Sequence, residues 1–233
     1  KLKMLNSLEL FTYFTKKKIK FFSGVPDSVL KNFIRELDFS KKIEHYICVN
    51  EGSAVGIAIG NYLKTKKISL VYLQNSGLGN AINPIVSIAD KNVYKIPLIL
   101  LIGWRGSPGK KDEEQHLTKG KITLPILKKM DIPYKILENI NDLYSSNLIN
   151  YAISNKRPVA FLIKKNVIKS SAKKKIYVNK NKIERSEFIL ELLKKIKIKD
   201  KIISSTGYNS RELFQLRKEK KLNKGSDFYM VGG

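Results

Sequence analysis

A single cysteine, Cys48, excludes any disulfide within the chain and leaves no thiol pair for a zinc site. It sits in the apolar run "IEHYICV" and reads as a small buried hydrophobe in a reducing compartment, so a cytoplasmic location is expected. Histidine is almost as scarce, with His45 and His116 its two occurrences, and no His-x-x-x-His pair exists. His45 lies in mid-strand and is expected to be a satisfied core residue. Missing too is any apolar run of the ~20 residues a spanning helix needs, so no membrane partner is expected. No G-x-S-x-G elbow is present to support a nucleophilic triad from Ser76 and His116. Acids are few: 20 Asp and Glu stand against 45 Lys and Arg, a formal charge of +25. The excess is scattered lysine, as in "TKKKIK" and "SAKKKIYVNKNK", while arginine, which forks onto phosphates and guanine edges, is rare. The charge therefore reads as a solvated basic surface, with no nucleic-acid partner.

What is present alternates. "IKFFSGV" (19–25), "IEHYICV" (43–49), "ISLVYL" (68–73), "IPLILLIG" (96–103) and "PVAFLI" (158–163) are continuous apolar runs of strand length. Such runs suit parallel strands covered on both faces. The stretches "DSVLKNFIREL", "EGSAVGIAIGNYLKTK", "LGNAINPIVSIAD", "KITLPILKKM" and "NDLYSSNLINYAIS" between them are amphipathic. Strand–helix repetition predicts an α/β fold, a doubly wound and mostly parallel sheet with helices on both faces. Residues 166–183 are basic and polar and read as a linker. From 184 to 233 a helix, a strand, a helix and a strand form the incomplete start of a second α/β domain, which leads us to expect a longer protein.

Ligands of such sheets gather beyond the carboxyl ends of the strands. There the chain places "SGVPDS", with Asp27 as catalytic acid or helix cap; "NEGSA", with Glu51 where strand meets helix; and the polar turn "QNSGLGN". That turn resembles a phosphate cradle but lacks the P-loop lysine. The fourth loop, "GWRGSPGKKDEEQH" (103–116), gathers the single Trp, an Arg, several acids and His116. Its acids and His116 are not spaced as a metal site, and no metal ligands are expected in this chain.

Several stretches together resemble a known family. "GVPDS", "NEGSAVGIAIGNYL", "VYLQNSGLGNAINPIVSIAD", "IPLILLIGWRGSPGKKDEEQH", "KGKITLPILKKMDIPY" and "STGYNSRELF" closely resemble phosphonopyruvate decarboxylases. These are thiamine-diphosphate-dependent enzymes of phosphonate biosynthesis related to sulfopyruvate decarboxylase. The resemblance implies that residues 1–165 form the domain that binds the cofactor's pyrimidine, and that 184–233 open the diphosphate-binding domain. It implies that Glu51 bonds the aminopyrimidine N1′ and promotes loss of the thiazolium C2 proton, with the cofactor acting as electron sink. Asp27 would then assist proton transfer and His116 would act on the intermediate. Gly24, Val25, Pro26, Asn75 and Ser76 would line the cofactor, and Arg105 and Lys110 would bind the anionic head of a small 2-oxo acid. The same resemblance implies a homo-oligomer with its active site between subunits. Mg2+ and the diphosphate would be held by a "GDG" motif with a downstream Asn, which these 233 residues do not contain. The alternatives are a sulfopyruvate decarboxylase and a non-catalytic fragment or subunit.

Overall fold

The computed structural model describes residues 5–171, 183–197, 199–205, 207–220 and 227–230. The chain divides into two compact units, residues 1–172 and 173–233. Most of the expected linker, 172–182, lies outside the described residues, as do the closing residues 231–233.

The first unit opens with β1 (Leu5–Asn6) and α1 (Ser7–Lys16), capped by the Asn6 side chain accepting from the Leu8 and Glu9 N–H groups. There follow β2 (Phe21–Gly24), α2 (Lys31–Phe39), β3 (Glu44–Ile47), α3 (Glu51–Thr65) and β4 (Ser69–Gln74). A short 3-10 turn (Asn75–Gly77) leads into α4 (Leu78–Pro84), which continues as a π-helical segment over Ile85–Ala89. Then come β5 (Leu98–Trp104), α5 (Glu114–Lys129), β6 (Tyr134–Leu137), α6 (Ile140–Tyr144), α7 (Leu148–Asn155), β7 (Pro158–Lys164) and β8 (Ile168–Lys169).

Six strands form one wholly parallel sheet in the order β3-β2-β4-β5-β7-β6, and β1 pairs with β8 beside it. One face packs on a cluster containing Leu10, Phe14, Phe33, Leu37 and Ile149. The other packs on Ala54, Val55, Leu78, Ala81 and Leu127, which lie on α3, α4 and α5. The sheet is thus doubly wound. β4, β5 and β7 are buried almost throughout, as their unbroken apolar runs predict.

Two expectations change. β3 is an edge strand, so its apolar run is covered on one side only: Tyr46, Ile47 and Val49 are exposed, and Cys48 is half-buried. His45 is satisfied there, with Nε2 2.8 Å from the Tyr72 hydroxyl and Nδ1 3.2 Å from Asp38. Helix α5 begins at Glu114, well before its apolar stripe at Lys121, so the long fourth loop ends earlier than its composition suggests. No helix among the described residues is long and apolar enough to cross a membrane.

The second unit runs α8 (Arg185–Lys195), β9 (Ile203–Ser204), α9 (Tyr208–Glu219) and β10 (Phe228–Tyr229), the two strands pairing in parallel. A buried ion pair from Arg217 on α9 to Asp227, at 2.9 Å, ties the helix to the second strand.

Candidate active site

After β2 the chain goes outward to β3, then returns across to β4 on the opposite side of β2. This reversal is a topological switch point, where the loops at the carboxyl ends of β2 and β4 part and leave a crevice. The turn that follows β4 is its hub. Within four residues it engages the β2 loop through Gln74, the β5 loop through Asn75 and Glu51 through Gly77.

Glu51 is the first residue of α3 and 9% exposed. Its helix start is fixed by Asn50, whose side chain accepts from the Ser53 N–H at 3.2 Å. One carboxylate oxygen, Oε2, accepts from Asn80 Nδ2 at 2.8 Å. The other, Oε1, has no donor among the described residues and lies over Gly77, where an added Cβ would come within 1.9 Å of it. An acid held by one oxygen, with the other uncommitted, is suited to accept a proton-bearing nitrogen from a ligand.

Asp27 is 5% exposed. Oδ2 accepts from the N–H groups of Val29 and Leu30 at 3.0 and 3.1 Å, which organises the turn ahead of α2. It thus caps that turn, and its side chain also lies at the crevice. Oδ1 accepts from Gln74 Nε2 at 2.7 Å, and the Gln74 Oε1 accepts from the Ser76 hydroxyl at 2.8 Å. Burial pushes the Asp27 carboxyl above its ordinary range, against the opposing pull of those three donors and of the Arg105 charge. Gly103 at the end of β5 makes room, since a Cβ there would lie 2.0 Å from Asp27 Oδ2. Gly24 is likewise closed in, by the Tyr72 carbonyl and ring; the Val25 N–H donates to that carbonyl at 3.2 Å, and Pro26 is exposed.

Asn75 is spent internally. Its Nδ2 donates to the Arg105 carbonyl and to Thr123 Oγ1 at 3.0 and 2.9 Å, and its Oδ1 accepts from the Arg105 N–H at 3.0 Å. It fastens the β4 turn to the β5 loop and α5. Ser76 donates to Gln74 Oε1 at 2.8 Å.

Arg105 is also largely committed. Its Nε and Nη2 fork onto Asp112 at 2.8 and 2.6 Å, and Nη1 reaches the Ser28 hydroxyl at 3.3 Å. This guanidinium, with the Gly106 and Glu113 N–H groups, holds the Asp112 carboxyl well below the usual carboxylate range. The loop closes tightly because Gly106 has φ +65°, and an added Cβ would meet the His116 carbonyl at 1.9 Å. His116 is 8% exposed and stands in the first turn of α5. Burial and the nearby Arg105 charge push its imidazole below its ordinary value, so it is neutral near pH 7. Its Nδ1 and the Ser107 hydroxyl are buried with no hydrogen-bond partner among the described residues. Two such orphan groups, one in the β5 loop and one at the start of α5, fit a bound polar ligand or water. The Lys110 side chain is exposed. Among the described residues no group of three or more His, Cys, Asp or Glu side chains could hold a metal ion.

Comparison with known proteins bears on this crevice. Residues 9–123 match the N-terminal TPP-binding domain of thiamine pyrophosphate enzymes. The sulfopyruvate decarboxylase subunit alpha of Methanococcus maripaludis is 33% identical over 147 residues, 62% of this chain and 86% of that subunit. The chain belongs to the thiamine pyrophosphate enzyme family. Within that family it is homologous to the phosphonopyruvate decarboxylase of Streptomyces viridochromogenes, at 27% identity over 98% of this chain and 60% of that enzyme. The chain thus spans about three-fifths of that curated relative. The benzoylformate decarboxylase of Polynucleobacter necessarius shares the fold, with a TM-score of 0.50 and 16% identity over 87% of this chain and 38% of that one. These family relatives are decarboxylases, and the match over 9–123 takes in the loops that carry Asp27, Glu51, Gln74 and His116.

Gln74 is the residue that sequence reasoning passed over. Its signal was its place as the polar end of an apolar strand, pointing at whatever the neighbouring loop presents.

Proposed function

We propose that residues 1–165 of this chain are the pyrimidine-binding domain of a thiamine-diphosphate-dependent decarboxylase that converts 3-phosphonopyruvate to phosphonoacetaldehyde and CO2. The observation that carries the proposal is Glu51, a nearly buried acid with one oxygen fixed by Asn80 and the other without a donor, at the switch point of the sheet. That uncommitted oxygen fits the ring nitrogen of an aminopyrimidine. When bound, thiamine diphosphate would supply an electron sink for the pair released as the carboxylate leaves.

The chain's own residues account for the rest of the chemistry on their side of the crevice. Glu51 holds or takes a proton at Oε1, while Gly77 leaves its carboxylate room to do so. Asp27 delivers the proton that the keto carbon gains when the carbon–carbon bond to CO2 breaks. Asn75 keeps the β4 turn and the β5 loop in register. Lys110, the remaining N–H capacity of Arg105, and His116 Nδ1 and the Ser107 hydroxyl, which have no hydrogen-bond partner among the described residues, supply donors for a multiply charged head group. The diphosphate and Mg2+ are assigned to residues outside these loops, in a homo-oligomer whose active site lies between subunits. The exposed apolar edge beside Glu51 supports that arrangement.

Sulfopyruvate is the second reading, favoured by the greater identity to a sulfopyruvate decarboxylase subunit. The two substrates differ in charge: a phosphonate carries up to two negative charges and a sulfonate one. Assaying the complete protein, loaded with cofactor and Mg2+, on both compounds separates the readings. We expect kcat/KM to favour phosphonopyruvate by at least about tenfold, the worth of one additional charged contact of roughly 1.4 kcal/mol. A preference for sulfopyruvate overturns the substrate assignment, and turnover of neither overturns the decarboxylase reading.

A further inference from the structure

The Asp27 carboxyl is balanced between two influences. Burial favours its protonated form, and the donors around it favour the ionised one. Two of those donors are backbone N–H groups of its own turn, Val29 and Leu30, and cannot be varied by the side chains they carry. The third, Gln74 Nε2, comes from another strand and makes the shortest contact, 2.7 Å.

An amide can point either way, and only one orientation suits a carboxylate. Here the Asp27 carboxylate, which only accepts, makes the choice, and the Ser76 hydroxyl braces the amide in it. That hydroxyl donates to Gln74 Oε1 at 2.8 Å, which leaves Nε2 for Asp27 Oδ1. Turning the amide over would set its oxygen against the carboxylate, whereas the Ser76 hydroxyl could still accept from Nε2. We infer that Gln74, braced by Ser76, is a positioning residue that aims the Asp27 carboxyl and sets how readily that acid releases its proton.

This rests on the reading of Asp27 as a proton donor, and it deepens that reading by naming what tunes the donor. The charged group that faces Asp27 is Arg105 from the β5 loop, already paired with Asp112. Gln74 on β4 and the turn residues Val29 and Leu30 are uncharged. Gln74 is therefore the side chain through which the setting can be changed without altering a charge.

The test is a carbon-13 NMR titration of the Asp27 carboxyl in the full chain without cofactor, for the wild type, Gln74→Leu, Gln74→Glu and Ser76→Ala. Removing the donor with Gln74→Leu should move the Asp27 midpoint upward, and Gln74→Glu should move it further by placing a like charge beside it. Ser76→Ala should also move it upward, because freeing the amide weakens the donor it presents. An unmoved or lowered midpoint in Gln74→Leu overturns the inference. Should that variant fail to fold, Ser76→Ala, which reaches Asp27 through Gln74, decides in the same way. The titration needs no substrate. A shifted midpoint in a protein that turns over neither oxo acid would sink the decarboxylase reading and leave this inference standing.

Discussion

Glu51 and Arg105 are both charged side chains at the same crevice, and their hydrogen bonds separate them. Arg105 is saturated on the side that meets Asp112, so its first duty is to close the β5 loop, and little of its fork remains for a ligand. Glu51 is nearly buried as a residue, yet its Oε1 has no donor among the described residues. An acid left this way is expected to serve a ligand. Glu51→Gln should preserve the fold and the Asn80 contact, since an amide oxygen can still accept there. It should lower turnover by about 10²–10⁴-fold, the range for loss of a positioned acid or base, and slow exchange of the bound cofactor's C2 proton with deuterated solvent. Undiminished exchange in that variant would remove Glu51 from the chemistry.

At the scale of elements, glycines decide how closely the loops approach one another, and they do so in different ways. A Cβ at Gly77 meets the end of the Glu51 side chain, which can rotate aside; a Cβ at Gly24 meets the Tyr72 carbonyl, 2.1 Å away, which cannot. Gly77→Ala should therefore fold with little loss of stability and lose activity because Glu51 is displaced. Gly24→Ala should lose roughly 1–3 kcal/mol of stability by overpacking. Thermal unfolding of both variants beside their turnover checks this, and equal thermal losses would refute the distinction. The same elements show what the residues reveal when read alone. β4, β5 and β7 are legible because strands buried on both faces must be apolar throughout. The run around Ile47 looked the same yet lies at an edge, since composition records apolarity and not what covers it. β6, "YKIL", carries Lys135 and partly exposed residues and gave no comparable run, while the start of α5 was hidden by the polar "EQHLTKG". Asp27 and Glu51 were legible as acids at strand ends. The partnership of Asp27 with Gln74, 47 residues apart, was not, because it depends on β4 returning to lie beside β2.

At the scale of the whole molecule the exposed edge of the sheet meets a strong positive charge. Val49 is 97% exposed two residues before Glu51, and Tyr46, Ile47, Ile57 and Leu63 add large apolar side chains on β3 and α3. An apolar surface on an edge strand is a site for association unless something covers it. A net charge of +25 opposes self-association, so burial of this face has to outweigh repulsion that salt screens. If the face is the subunit contact that completes the site, Ile47→Glu and Val49→Glu in the complete protein should lower its mass in sedimentation experiments and abolish turnover. Far-UV circular dichroism should stay native, because both side chains project from the folded unit. Assembly of the wild type should strengthen between low and moderate salt as lysine repulsion is screened, the reverse of what an interface built on ion pairs would show. Variants of unchanged mass would place the subunit contact on another face.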